Sequence, residues 1–75
     1  MPRPDLHPED VEDLGRAIAE ARQSKGWTQE RLAKFCDVTR QTIYFLEGGR
    51  RTPSLALLTL ICDALGVTPD SLLDY

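Results

Sequence analysis

The chain has little from which to build a catalytic centre. Its 75 residues hold one histidine and two cysteines. His7 sits in a proline-containing stretch, far from Cys36 and Cys62, and one His with two Cys does not make a structural zinc site. No nucleophile stands beside a recognisable base, and no glycine-rich phosphate loop occurs, since Gly48-Gly49 reads as a helix stop. An enzyme is therefore not expected, and neither is a metal, a cofactor or a small-molecule ligand. A long hydrophobic run is also missing. The most apolar stretch, residues 55–65, is interrupted by Thr59 and Asp63 and is far shorter than the ~20 residues a bilayer requires, so no membrane association is expected. The opening Met1-Pro2-Arg3-Pro4-Asp5 leads into acidic sequence, not an apolar leader. A cytoplasmic setting is the expectation, with Cys36 and Cys62 as buried thiols and not a disulfide.

A basic excess is missing too, for the net charge is −3. Its distribution matters more than its sum. Residues 1–13 carry one Arg against five acids, and residues 52–75 carry three acids and no base. Residues 14–51 carry eight Lys or Arg against four acids. The positive charge is concentrated in the middle of the chain, where a polyanion would meet a favourable local field. The length suits one domain, and a chain this short buries only roughly 60% of its unfolded surface, so modest stability is expected.

Five helices and no strand are expected after an irregular arm over residues 1–7, so the fold class is all-α. Pro8 suits a first helical position, with Glu9 and Asp10 at the positive end. Val11, Leu14, Ile18 and Ala21 then give one apolar face, and Gly26 ends the helix. Thr28 caps a second helix reaching about Cys36, with Trp27 and Leu32 placed as a hydrophobic staple. Only Asp37 and Val38 separate it from Thr39, which caps a third helix ending at Glu47. Arg50-Arg51-Thr52-Pro53 forms a basic loop. Ser54 caps a fourth helix, which Gly66 stops, and Thr68-Pro69 begins a short fifth. The key feature is the pair of short helices joined by a very short turn over residues 28–47. Leu32, Cys36, Val38, Ile43 and Leu46 supply its buried side, and small Ala33 lies where the two should cross. Two helices meeting steeply around such a turn leave the second projecting, with its N-terminal residues free to enter a major groove.

The stretch Trp27-Thr28-Gln29-Glu30-Arg31-Leu32-Ala33, then Val38-Thr39-Arg40-Gln41-Thr42-Ile43, then Leu46-Glu47-Gly48-Gly49-Arg50-Arg51-Thr52-Pro53-Ser54, resembles the Cro/C1-type (Xre) helix-turn-helix family. The ending Ala64-Leu65-Gly66-Val67 with Leu72-Leu73 resembles it too, so the likeness covers roughly residues 12–74. It implies a five-helix, lambda-repressor-like DNA-binding domain over residues 8–75, with residues 39–47 as the recognition helix. Arg40 and Gln41 are then the base readers, since Arg matches guanine O6/N7 and Gln matches adenine N6/N7. Tyr44 and Phe45, one turn later, are placed for a thymine methyl, or for a phosphate through the Tyr44 hydroxyl. Thr28, Gln29, Thr39, Thr42, Arg50 and Arg51 are the expected phosphate contacts, which set register without reading sequence. Arg22 and Glu47 match positions that pair internally, so they are assigned a structural role. Lys25, Arg31 and Lys34 are expected to be solvated, and Trp27 to be core or staple.

Two positions depart from the family pattern. Asp37 stands where a turn glycine is common, and Asp tolerates the left-handed region better than most residues. Phe35 and Phe45 stand where polar residues are common. Phe35 is expected to fold back on the first helix; if it does not, it joins Tyr44 and Phe45 in an exposed aromatic patch. The leading functional expectation is a small prokaryotic or phage transcriptional regulator that binds double-stranded DNA as a homodimer on an inverted repeat. The dimer surface is expected in the C-terminal part, from Val67, Leu72, Leu73 and Tyr75. The competing expectation is a protein-binding adaptor, antitoxin-like, that keeps the fold and has a protein partner; it makes Arg40 and Gln41 dispensable.

Overall fold

The computed structural model describes residues 8–73, and the side chains of residues 10–72. The expected arm over residues 1–7, His7 within it, and the side chains of Leu73 and Tyr75 lie outside the described residues. Five helices and no strand occur among the described residues: α1 (Pro8–Ser24), α2 (Gln29–Cys36), α3 (Arg40–Glu47), α4 (Leu55–Leu65) and α5 (Pro69–Leu73). None is long and apolar enough to cross a membrane.

The expected caps at Thr28, Thr39 and Ser54 form, and Thr68 adds a further one. The hydroxyls of Thr28, Thr39, Ser54 and Thr68 accept the amides of Arg31, Thr42, Leu57 and Ser71 at 3.1–3.2 Å. Each such cap stabilises its helix by about 1 kcal/mol. The other ends close by a shared device. Trp27 N–H donates to Arg22 O at 3.1 Å, Val38 N–H to Ala33 O at 3.0 Å, and Val67 N–H to Cys62 O at 3.1 Å. Each bond satisfies a carbonyl that the helix end would leave orphaned and turns the chain sharply. These ends make the connections short enough to hold α2 and α3 at a fixed crossing.

At the α2–α3 turn the residue that must go left-handed is Asp37, at φ 57° and ψ 44°. A non-glycine residue there costs about 1–2 kcal/mol, part of which glycine gives back as unfolded-state entropy. Asp37→Gly is therefore expected to raise stability by about 0.5 kcal/mol, or Tm by roughly 2–4 °C. Thermal unfolding followed by circular dichroism checks this, and an unchanged or lower Tm contradicts it.

The core gathers Leu14 and Ile18 of α1, Leu32, Ala33 and Cys36 of α2, Ile43 and Leu46 of α3, and the inner face of α4 around Ile61. Both cysteines are free and buried. Burial pushes both thiols up, and Asp63 adds to the rise at Cys62, so they stay protonated and poorly nucleophilic. Leu72 also belongs to this core, at 6% exposure. Its assignment to a dimer surface is corrected accordingly: α5 turns back on α1, and the Leu72 side chain closes the monomer.

One close approach fixes how α1 sits on α3. Gly15 lies where a Cβ would overlap the carbonyl oxygen of Leu46 and come within 2.8 Å of that of Glu47. Gly49, left-handed at φ 73°, leaves room for only 2.9 Å between its own missing Cβ and Glu12 Cα. Backbone thus rests on backbone where α1 crosses the end of α3, and the orientation of α3 follows from that contact.

Candidate nucleic-acid interface

The α3 sequence sorts itself by helical period. Ile43 and Leu46 turn into the core, while Arg40, Gln41 and Tyr44 face solvent and Phe45 is half-buried. Positions 40, 41, 44 and 45 share one stripe, and their side chains line one open cleft. The Tyr44 and Phe45 rings meet at 5.8 Å between centroids, tilted by 57°. The four residues expected to read bases are thus brought together on the exposed side of α3.

A second open cleft adjoins the first, lined by Arg22, Thr28, Gln29, Glu30 and Arg40. Here the start of α2 meets the start of α3. The amides of Gln29 and Glu30 open α2 at the positive end of its dipole, and Arg40 borders both clefts. Thr39 and Thr42 are locally engaged: their hydroxyls lie 3.0 Å apart, and Thr39 also accepts the Thr42 amide. Arg50 and Arg51 are exposed in the loop that follows α3. The expected phosphate contacts therefore lie at the start of α2, the start of α3 and the loop beyond α3.

Beneath this surface lies a charged brace. Arg22 Nε donates to Glu47 Oε2 at 2.7 Å, and Arg22 Nη2 to Glu47 Oε1 at 3.0 Å. The remaining guanidinium arm donates to the Trp27 carbonyl at 2.7 Å. The side chains are only 11% and 7% exposed. Glu47 closes α3, where the helix dipole disfavours an acid, so its placement depends on the paired cation. This pairing was expected. A third partner was not: Gln29 Nε2 donates to Glu47 Oε1 at 3.0 Å. That bond uses one N–H of the amide and holds the Gln29 side chain against the brace. Among the described residues, no buried side-chain polar atom lacks a partner.

One expectation needs correction. Phe35 does not fold back on α1. It is 52% exposed and packs beside Trp27, with centroids 6.0 Å apart. Leu32, Ala33 and Cys36 fill the inward stripe of α2, and Phe35 falls to its side. Lys25 and Arg31 are exposed, as expected, and they lie 5.5 Å and 4.4 Å from the Trp27 ring centroid, within cation–π range. Lys34 makes only a loose, exposed pair with Glu30 at 3.7 Å. Sequence reasoning missed Gly15, although a glycine inside an otherwise helical pattern is itself a sign of close packing.

The comparisons with known proteins agree with this geometry. A helix-turn-helix family model matches residues 18–72. An uncharacterised HTH-type transcriptional regulator derived from the SPbeta prophage, YonR of Bacillus subtilis, is 41% identical over 60 residues; the match covers 80% of this chain but only 56% of YonR. The control protein C.BamHI of Bacillus amyloliquefaciens is 42% identical over 63 residues, covering 83% of this chain and 78% of that protein. The crystal structure of the restriction-modification controller protein C.AhdI from Aeromonas hydrophila superposes with a TM-score of 0.81 at 31% identity, covering 85% of this chain and 97% of that one.

Proposed function

The chain belongs to the Cro/C1-type helix-turn-helix family of DNA-binding transcriptional regulators, and from that premise we propose that it is a sequence-specific regulator acting as a homodimer on an inverted repeat. Residues 8–75 act as one domain, with α3 in the major groove. The observation that carries the proposal is the stripe Arg40, Gln41, Tyr44 and Phe45, aligned on the outer side of a helix whose inner side is locked into the core.

Arg40 and Gln41 read base edges, and Tyr44 and Phe45 supply apolar contact. Thr28, Gln29, Thr39, Thr42, Arg50 and Arg51 engage phosphates on either side of the groove. The protein works by binding and performs no catalysis. In a two-fold dimer the recognition helices enter successive major grooves about 34 Å apart. With Leu72 buried, exposed Leu55 and Leu60 on the outer face of α4 become the apolar contribution to the dimer surface, beside partly buried Val67.

The two kinds of contact separate by mutation. Arg40→Ala is expected to cost about 1–3 kcal/mol on the preferred site and to relax one base position. Arg50→Ala is expected to weaken all duplexes alike and to lower the slope of log K against log salt by about 1. Anisotropy titrations on preferred and scrambled duplexes at several salt concentrations check both. Equal loss from both variants on every duplex contradicts base reading by Arg40. A second reading, a protein-binding adaptor, draws on the exposed Phe35 edge beside Trp27; it requires Arg40→Ala to leave function intact.

A further inference from the structure

Half of the outward stripe of α3 is aromatic, and hydrogen-bonded base reading does not account for that half. Tyr44 is 57% exposed, so its ring is presented to solvent on the outward side of α3. With Phe45 it forms a hydrocarbon wall one turn beyond Arg40 and Gln41, and the same cleft holds all four side chains. One end of the cleft is therefore a cationic fork with an amide beside it, and the other end is apolar.

The chemistry of the groove suggests what spans those two ends. A guanidinium fork pairs with guanine O6 and N7. The base on the 5′ side of that guanine stacks against it, and if it is a pyrimidine its C5 substituent projects into the major groove alongside the guanine edge. A hydrogen at C5 leaves a gap against an aromatic wall, whereas a methyl group fills it. The Phe45 ring carries no donor or acceptor, so it is indifferent to whether the neighbouring exocyclic group is the thymine carbonyl or the cytosine amine.

We infer that the Arg40–Gln41–Tyr44–Phe45 cleft senses the C5 methyl group of a pyrimidine immediately 5′ of guanine, favouring thymine over uracil and 5-methylcytosine over cytosine. This rests on α3 being the groove helix and adds to it a ligand class, C5-methylated pyrimidine–guanine steps. Cytosine methylation within a site then strengthens binding, through the same atoms that distinguish thymine.

The test uses the full chain and a duplex taken from selection on random DNA. The guanine is the one whose identity Arg40→Ala ceases to read. Four versions of that duplex carry T, U, C or 5-methylcytosine at the preceding position, each with its complement, and affinities are measured by fluorescence anisotropy. For the wild type, thymine is expected to bind about three- to fivefold tighter than uracil per half-site, and 5-methylcytosine to exceed cytosine by the same factor. Tyr44→Ala, at an exposed position that leaves the core intact, should bring both ratios close to one, and Phe45→Leu should reduce them. Specific binding with no C5 effect overturns the inference while leaving α3 in the groove. So does a C5 effect that survives in both variants, or a selected guanine always preceded by a purine. If no duplex is preferred at all, the groove-helix reading falls first and this one with it.

Discussion

Glu47→Ala is expected to lower folding stability by about 3–5 kcal/mol, the usual cost of stranding one partner of a buried ion pair. The carboxylate accepts two hydrogen bonds from Arg22 and one from Gln29. Its removal leaves a guanidinium in a site only 11% exposed, holding a single remaining bond to the Trp27 carbonyl. For a domain of this length, total stability is on the order of 4–11 kcal/mol, so the variant should sit near the edge of folding. In a thermal melt the shift corresponds to a fall in Tm of roughly 15 °C or more. The double replacement Arg22→Met with Glu47→Leu is expected to recover much of the loss, because it removes the stranded charge along with the pair. A loss below about 1 kcal/mol in Glu47→Ala equates the pair with an ordinary surface contact and sinks this account of the brace. The brace also has a functional side. It joins the end of α1, the start of α2 and the end of α3, so it fixes the outward stripe of α3, proposed to read bases, relative to the Gln29 amide.

Gly15→Ala should destabilise, against the direction of helix propensity. In an exposed helix interior that change gains about 1 kcal/mol. Here the added Cβ collides with the Leu46 carbonyl and crowds that of Glu47. Both obstacles are backbone, so no side chain can swing aside, and α1 must lift from α3. Overpacking of this kind costs typically ~1–3 kcal/mol net, and the displaced α3 should bind its site less tightly even where the fold survives. Urea unfolding together with DNA titration of the folded variant reads both effects. A Gly15→Ala protein that is more stable than wild type has no backbone contact at this crossing.

Much of this was legible in the chain because its signals are local. The threonines and serine that cap α2, α3 and α4 announce themselves by position, and Gly26 and Gly66 mark the ends of α1 and α4. Asp37 was readable as the left-handed turn residue because it stands where the family resemblance implies a turn glycine, and its type tolerates that conformation. The Arg22–Glu47 pair came from family resemblance, since nothing in periodicity links residues so far apart in sequence. Less visible were features decided by tertiary contact. Phe35 lies one position from the inward stripe of α2, and only the crossing with its neighbours decides whether it turns in or out. Leu72 is apolar in either role, and the return of α5 onto α1 places it inside. Gln29 carries the right group for a phosphate, but only the folded chain sets that group against Glu47.

The most direct test of the account is selection of the full chain on random duplex DNA at near-physiological salt, followed by sequencing. The predicted result is an inverted repeat whose half-sites are separated by about one helical turn, with a guanine position that becomes degenerate when Arg40→Ala is selected in parallel. Enrichment of no motif, with wild type and Arg40→Ala recovering indistinguishable pools, contradicts recognition by α3.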